Sequence, residues 1–85
     1  MMRMVHPEGQ VFGQRLRELR NKRALTQGQL GERAGLTTAH ISNLEHGFTI
    51  PNLTTILRLA VALECKVTVL TSVFDKADLS SLLSE

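Results

Sequence analysis

From Phe12 onward the apolar residues Phe12, Leu16 and Leu19 return at spacings of four and three, with arginines in the gaps between them. That is the stripe of an amphipathic helix, its charged residues on the wet side. Thr26 and Gln29 then stand in a Thr-x-x-Gln capping box, so a second helix is predicted to start at Gln27 and to run to about Ala34. Gly35 stops it, because glycine tolerates the left-handed conformation of a helix end. Within this helix Gly31 is read as a point of close helix packing, whereas Gly28 has no evident reason.

Thr37 is placed to cap a third helix over residues 38–46, with Ile41 and Leu44 facing inward and Gly47 ending it. Two short helices are thus joined by the turn Gly35, Leu36, Thr37. The outward residues of the third helix, Thr38, Ala39, Ser42, Asn43 and His46, are small or hydrogen-bonding. Asn52 can cap a fourth helix carrying Leu53, Ile56, Leu57, Ala60 and Leu63. The segment "CKVTVLTSVF" admits two readings, a β-branched strand or a helix with Val67, Leu70, Val73 and Phe74 on one face; the helical rhythm around it favours helix. Residues 1–10, with Pro7 and Gly9, read as a disordered leader, residues 11–75 as the folded domain and residues 76–85 as a tail offered to a dimer or partner contact.

Composition narrows the class. With 85 residues and 42% hydrophobic content, the chain is one domain with a modest core. The single cysteine, Cys65, rules out a disulfide framework and suits a reducing cytoplasm, where it fills core. No run approaches the roughly 18 apolar residues of a membrane span, and "MMRMVHPEGQV" has no apolar signal segment. The expectation is a cytoplasmic protein without a membrane. Net charge is only +2, but residues 12–47 hold Arg15, Arg17, Arg20, Lys22, Arg23 and Arg33 against Glu18, Glu32 and Glu45. A basic front half suits a polyanion. His6, His40, His46 and Cys65 have no metal-ligand spacing, and no phosphate-cradling glycine loop is present, so neither an enzyme nor a metal or other cofactor is expected.

The stretch "FGQRLRELRNKRALTQGQLGERAGLTTAHISNLEHG", followed by "PNLTTILRLAVALE", resembles the phage-repressor and Cro-like helix-turn-helix family, also called the XRE family. The resemblance spans about residues 12–64 and rests on "RLRELR", "LTQGQL", "AGLT", "IxNLEHG" and "PNLxTILRLAxAL". It implies an all-α, five-helix lambda-repressor-like domain whose third helix enters the major groove of double-stranded DNA. It also implies site residues. Gln27 stands where the family puts a glutamine on a phosphate, which agrees with the anion affinity of a capped helix start. Thr37 and Thr38 lie at the entrance of the recognition helix, and Ala39, His40, Ser42 and Asn43 face bases or nearby backbone. Asn43 is the sharpest candidate, since an amide can bond adenine N6 and N7 together.

His46, Thr49 and Asn52 complete the DNA-binding set near phosphate. There the chain departs from the family, with "FTI" in place of a basic or polar loop, so Phe48 and Ile50 turn inward or cover a dimer neighbour. Arg20 and Glu45 correspond to a semi-buried salt bridge that ties the first helix to the third. The functional expectation is a transcriptional regulator, specifically a repressor, bound as a homodimer to a pseudo-palindromic operator. The dimer contacts are assigned to the fourth-helix end and to Val67, Leu70, Phe74, Leu79 and Leu82. The alternative is a DNA-binding antitoxin that also holds a toxin protein; a strand over residues 66–71 would favour it.

Overall fold

The computed structural model describes residues 4–77 and 79–83. Five α-helices follow one another: α1 (Pro7–Lys22), α2 (Gln27–Ala34), α3 (Thr38–Glu45), α4 (Leu53–Ala62) and α5 (Val67–Thr71), with 3₁₀ turns at Ser72–Asp75 and Ser80–Leu83. No strand forms among the described residues. The fold is all-α, and residues 67–71 are helical as the surrounding rhythm suggests. The strand that would have favoured an antitoxin is therefore absent from residues 66–71.

The first helix begins earlier than its apolar stripe. Proline fixes φ near the helical value and sacrifices an N–H that a helix start leaves unpaired anyway, so Pro7 opens α1 and Glu8 follows in its first turn. The His6 N–H donates to the Gly47 carbonyl at 3.0 Å, pinning this start to the end of α3. Residues 7–10 are thus helical, where Pro7 and Gly9 suggest a disordered leader.

The second helix closes its capping box: Thr26 Oγ1 accepts from the Gln29 N–H at 3.0 Å, and Gln29 Oε1 accepts from the Thr26 N–H at 2.9 Å. Gly35 ends it with φ +71°, a conformation costly for any residue with a β-carbon. At Gly31, an added β-carbon would lie 2.6 Å from the Leu36 carbonyl oxygen. What packs there is the backbone of the turn rather than another helix.

Phe12 and Leu16 of α1, Leu30 of α2, Ile41 and Leu44 of α3, Leu59 of α4 with Leu63 just past its end, and Leu70 of α5 are fully enclosed, so every helix contributes to one core. Of the expected α4 stripe, Ile56, Ala60 and Leu63 pack on the core, whereas Leu53 and Leu57 do not. Leu59, Ala60, Ala62 and Leu63 point inward, while Leu53 (69% exposed), Leu57 (45%) and Val61 (78%) form a stripe outside. Nine of the ten α4 residues run "LTTILRLAV", apolar on more than one side, so periodicity alone does not select the face.

Leu70 corrects an assignment: it is buried in its own subunit and has no surface to give a partner. Val67 and Phe74 also pack partly against this core, Leu79 is half-buried and Leu82 is 57% exposed. Cys65 packs beside the core, where burial raises its thiol pKa more than nearby Arg23 lowers it. It behaves as an apolar filler. No described helix is long and apolar enough to cross a membrane.

Candidate nucleic-acid interface

The third helix has only eight residues, and its two sides differ completely. Ile41, Leu44 and Glu45 are buried, whereas Thr37, Thr38, Ala39 and His46 are exposed and His40, Ser42 and Asn43 are half-buried. Its start is fixed by Thr37, whose Oγ1 accepts from the His40 N–H at 3.0 Å. The capping hydroxyl satisfies one of the unpaired N–H groups there, at a typical worth of about 1 kcal/mol. The chain after the helix is tied back by the Phe48 N–H, which donates to the Asn43 carbonyl at 3.0 Å.

Glu45 holds the inner side. Its side chain is wholly enclosed, yet it has four donors. Arg20 meets it with a fork, Nε on Oε2 at 2.6 Å and Nη2 on Oε1 at 3.0 Å, and Arg20 Nη1 donates to the Leu25 carbonyl at 2.8 Å. Gln27 Nε2 donates to Oε1 at 3.0 Å, and Arg17 Nε reaches the same oxygen at 3.3 Å. One carboxylate therefore joins α1, α2 and α3. Burial on its own pushes the Glu45 carboxyl pKa up, but the hydrogen bonds from Arg20, Gln27 and Arg17, with the Arg20 charge, bring it below the ordinary 4.5. The hydrogen bond to Glu45 correspondingly raises Arg20 above its own ordinary value, against an opposing effect of burial.

Backbone contact completes the seat. A β-carbon on Gly13 would strike the Leu44 carbonyl oxygen and lie 2.6 Å from the Glu45 carbonyl oxygen, so α1 crosses the last turn of α3 with nothing between the two backbones. Only glycine permits that crossing.

The sequence-predicted residues fall into two groups. Thr37, Thr38, Ala39, His40, Ser42, Asn43 and His46 share one surface along α3. Gln27 lies beside it but spends its amide on Glu45, and Asn52 is exposed with its Oδ1 engaged in capping α4 through the Thr55 N–H at 2.8 Å. Thr49 departs from expectation. Its Oγ1 is enclosed with no protein partner, because the loop folds onto the start of α1, where a β-carbon on Gly9 would lie 3.3 Å from the Thr49 carbonyl oxygen. Its hydroxyl is not presented outward. His46 lies back along the helix, its Nδ1 2.7 Å from the Ser42 carbonyl, which makes Nδ1 the protonated nitrogen of that bond. Its ring stacks on Phe48 at a centroid distance of 5.3 Å, and this contact accounts for the apolar residue in the loop.

The basic residues of the front half also divide. Arg15 donates to the Val69 carbonyl at 2.9 Å and to Ser72 Oγ at 3.4 Å, and Arg23 donates to the Glu64 carbonyl at 3.0 Å. Both are structural ties to the far helices. The sequence gives Arg17 no role beyond a general positive field; its bond to Glu45 places it next to Gln27. Among the described residues no group of three or more His, Cys, Asp and Glu side chains is placed to hold a metal ion.

Residues 11–71 match the model of a family described as a helix-turn-helix domain. Over 54 residues the chain is 46% identical to an uncharacterized HTH-type transcriptional regulator, RghRB of Bacillus subtilis, covering 62% of this chain and 39% of that protein. Over 57 residues it is 37% identical to the immunity repressor protein of Bacillus phage phi105, covering 67% and 40% respectively. The alignments thus span about two fifths of the length of these curated relatives. Among solved structures, the restriction-modification controller protein C.AhdI from Aeromonas hydrophila superposes with a TM-score of 0.74 at 37% identity, over 76% of this chain and 98% of that one. The P22 c2 repressor, solved in complex with a synthetic operator, superposes with a TM-score of 0.65 at 36% identity, over 69% and 89%.

Proposed function

The chain belongs to the helix-turn-helix family, of the phage-repressor (Cro/C1) type, and on that premise we propose that it is a sequence-specific DNA-binding repressor acting as a homodimer on a pseudo-palindromic operator. The observation that carries this reading is the two-sidedness of α3. Its inner residues are locked to α1 and α2, and its outer residues Thr38, Ala39 and Asn43 are short enough for the helix backbone to approach base edges. Asn43 takes adenine in bidentate fashion, worth about 1–3 kcal/mol of discrimination, and Ala39 with the Thr38 methyl packs on thymine methyls. Gln27 moves its amide to a phosphate at the α2 start, leaving Glu45 with Arg20 and Arg17.

One such helix offers few base contacts, and two linked half-sites multiply its affinity without new chemistry. Twofold symmetry sets the two α3 helices about 34 Å apart, in successive major grooves. The second copy seats on the exposed apolar stripe of α4, Leu53, Leu57 and Val61, rather than on Leu70. Selection of bound sequences from a random duplex pool, followed by titration of the selected site across a salt series, tests the whole reading. The expected result is an enriched inverted repeat whose log K falls linearly with log salt. No enrichment, together with an affinity indifferent to salt, refutes it.

A further inference from the structure

We infer that Arg17 is a phosphate-binding residue held in readiness by Glu45, and that Arg17 and Gln27 together grip the DNA backbone beside α3. The inference rests on the proposed DNA-binding role and extends it to a residue of the "RLRELR" stretch to which the resemblance assigned no contact.

The bonds at Glu45 carry the argument. Arg20 satisfies the carboxylate by itself. It occupies Oε2, shares Oε1, gives its remaining nitrogen to the Leu25 carbonyl, and its side chain is only 13% exposed. Each of its three nitrogens has a partner inside the fold. Arg17 differs on each count: its side chain is 48% exposed, it makes the longest bond of the group, and it does so through Nε alone. Among the described residues neither of its Nη groups has a partner. With two guanidinium groups on one carboxylate, the cluster keeps a net charge of +1 (+2 − 1), and the uncommitted unit belongs to Arg17.

A structural role explains little of this. A half-exposed pair at 3.3 Å adds about 0–1 kcal/mol of stability, and Glu45 already has Arg20 and Gln27. The same geometry suits anion capture. An arginine anchored by Nε has fewer rotamers to lose, and its two Nη groups remain as a planar fork matched to phosphate oxygens. Arg17 and Gln27 donate to the same Glu45 oxygen, so their donor ends are neighbours. A phosphate that draws Gln27 meets Arg17 in the same place. Glu45 is the positioning residue for both.

The test compares wild type, Arg17→Ala and Arg17→Lys on the selected operator duplex and on a scrambled duplex, each over a salt series, with melting measured in parallel. Arg17→Ala is expected to weaken binding to both duplexes by about the same factor. Its slope of log K against log salt should drop by roughly 0.9 per protomer, the release of one phosphate contact, while its melting temperature stays at the wild-type value. Arg17→Lys should restore most of the slope. A wild-type slope in Arg17→Ala overturns the inference and leaves the DNA-binding reading intact. A lowered melting temperature with an unchanged slope overturns it in favour of a structural arginine, and a loss confined to the operator assigns Arg17 to base reading instead. Wild-type protein that binds neither duplex removes both readings together.

Discussion

Replacement of Gly13 by alanine sets two known effects against each other. In isolation the change favours the helix, since alanine in a helix interior is about 1 kcal/mol better than glycine. The new β-carbon, however, would strike the Leu44 carbonyl oxygen and lie 2.6 Å from the Glu45 oxygen and 2.9 Å from its carbonyl carbon, inside the 3.0 Å below which real β-carbons do not come. All three atoms are backbone in the last turn of α3, so no rotamer change relieves the contact. Overpacking costs about 1–3 kcal/mol, and a rigid neighbour puts this case at the upper end. Subtracting the propensity gain leaves a net destabilisation of roughly 2 kcal/mol. For a domain of this size each kcal/mol moves melting by about 4–8 °C, so thermal unfolding followed by circular dichroism should show a fall of roughly 8–16 °C. Gly28→Ala is the control: its β-carbon would meet Thr38 Oγ1 at 3.4 Å and Thr26 Oγ1 at 3.9 Å, ordinary contacts, and should stabilise by up to about 1 kcal/mol. If Gly13→Ala melted at or above wild type while Gly28→Ala behaved as expected, the direct backbone crossing of α1 and α3 would be refuted.

Further outcomes follow from the core and its charges. Because the Glu45 carboxyl pKa is lower in the folded chain than its ordinary 4.5, its contribution to stability is complete above that value and is lost as pH falls through the folded one. Urea unfolding of wild type should therefore weaken below about pH 4.5. Glu45→Gln should be less stable at neutral pH by about 3–5 kcal/mol, because a buried guanidinium loses its partner, and should show a flatter acid limb. An acid limb as steep as wild type would place the titrating carboxylate elsewhere. Val61→Glu, on the exposed stripe of α4, should move sedimentation toward monomer with little change in melting, whereas Leu70→Ala should cost about 2–5 kcal/mol of folding stability. A dimer undisturbed by Val61→Glu rejects that surface.

Local chemistry was readable wherever a residue's role is set by its near neighbours. The Thr26 and Gln29 box, the Thr37 and Asn52 caps and the Gly35 stop all stand in the structure, since each needs only the backbone within three or four positions. Roles set by distant partners left little trace. Nothing near Arg15 announces a bond to the Val69 carbonyl 54 residues away, and nothing near Leu70 tells a core residue from an interface one. In α4 the apolar content was high enough for two faces to look inward, and tertiary packing chose between them. Pro7 and Gly9 misled because the same residues mark loops and helix starts. The Arg20 and Glu45 pair was accessible only through family resemblance, as charges 25 positions apart have no periodic signal.

The division of labour along α3 separates what keeps the helix in place from what it displays. Ile41, Leu44 and Glu45 anchor it, and none of them is among the exposed residues Thr38 and Ala39 or the half-buried Asn43. Exchanges at Thr38 and Ala39 leave the packing of Ile41 and Leu44 and the bonds of Glu45 untouched, so variants at those two positions should keep the parent's folding while the outer surface changes. The scaffold is in this sense an interchangeable mount: on the proposed reading, a few side chains on eight residues of helix set the target, and the rest of the fold is indifferent to them.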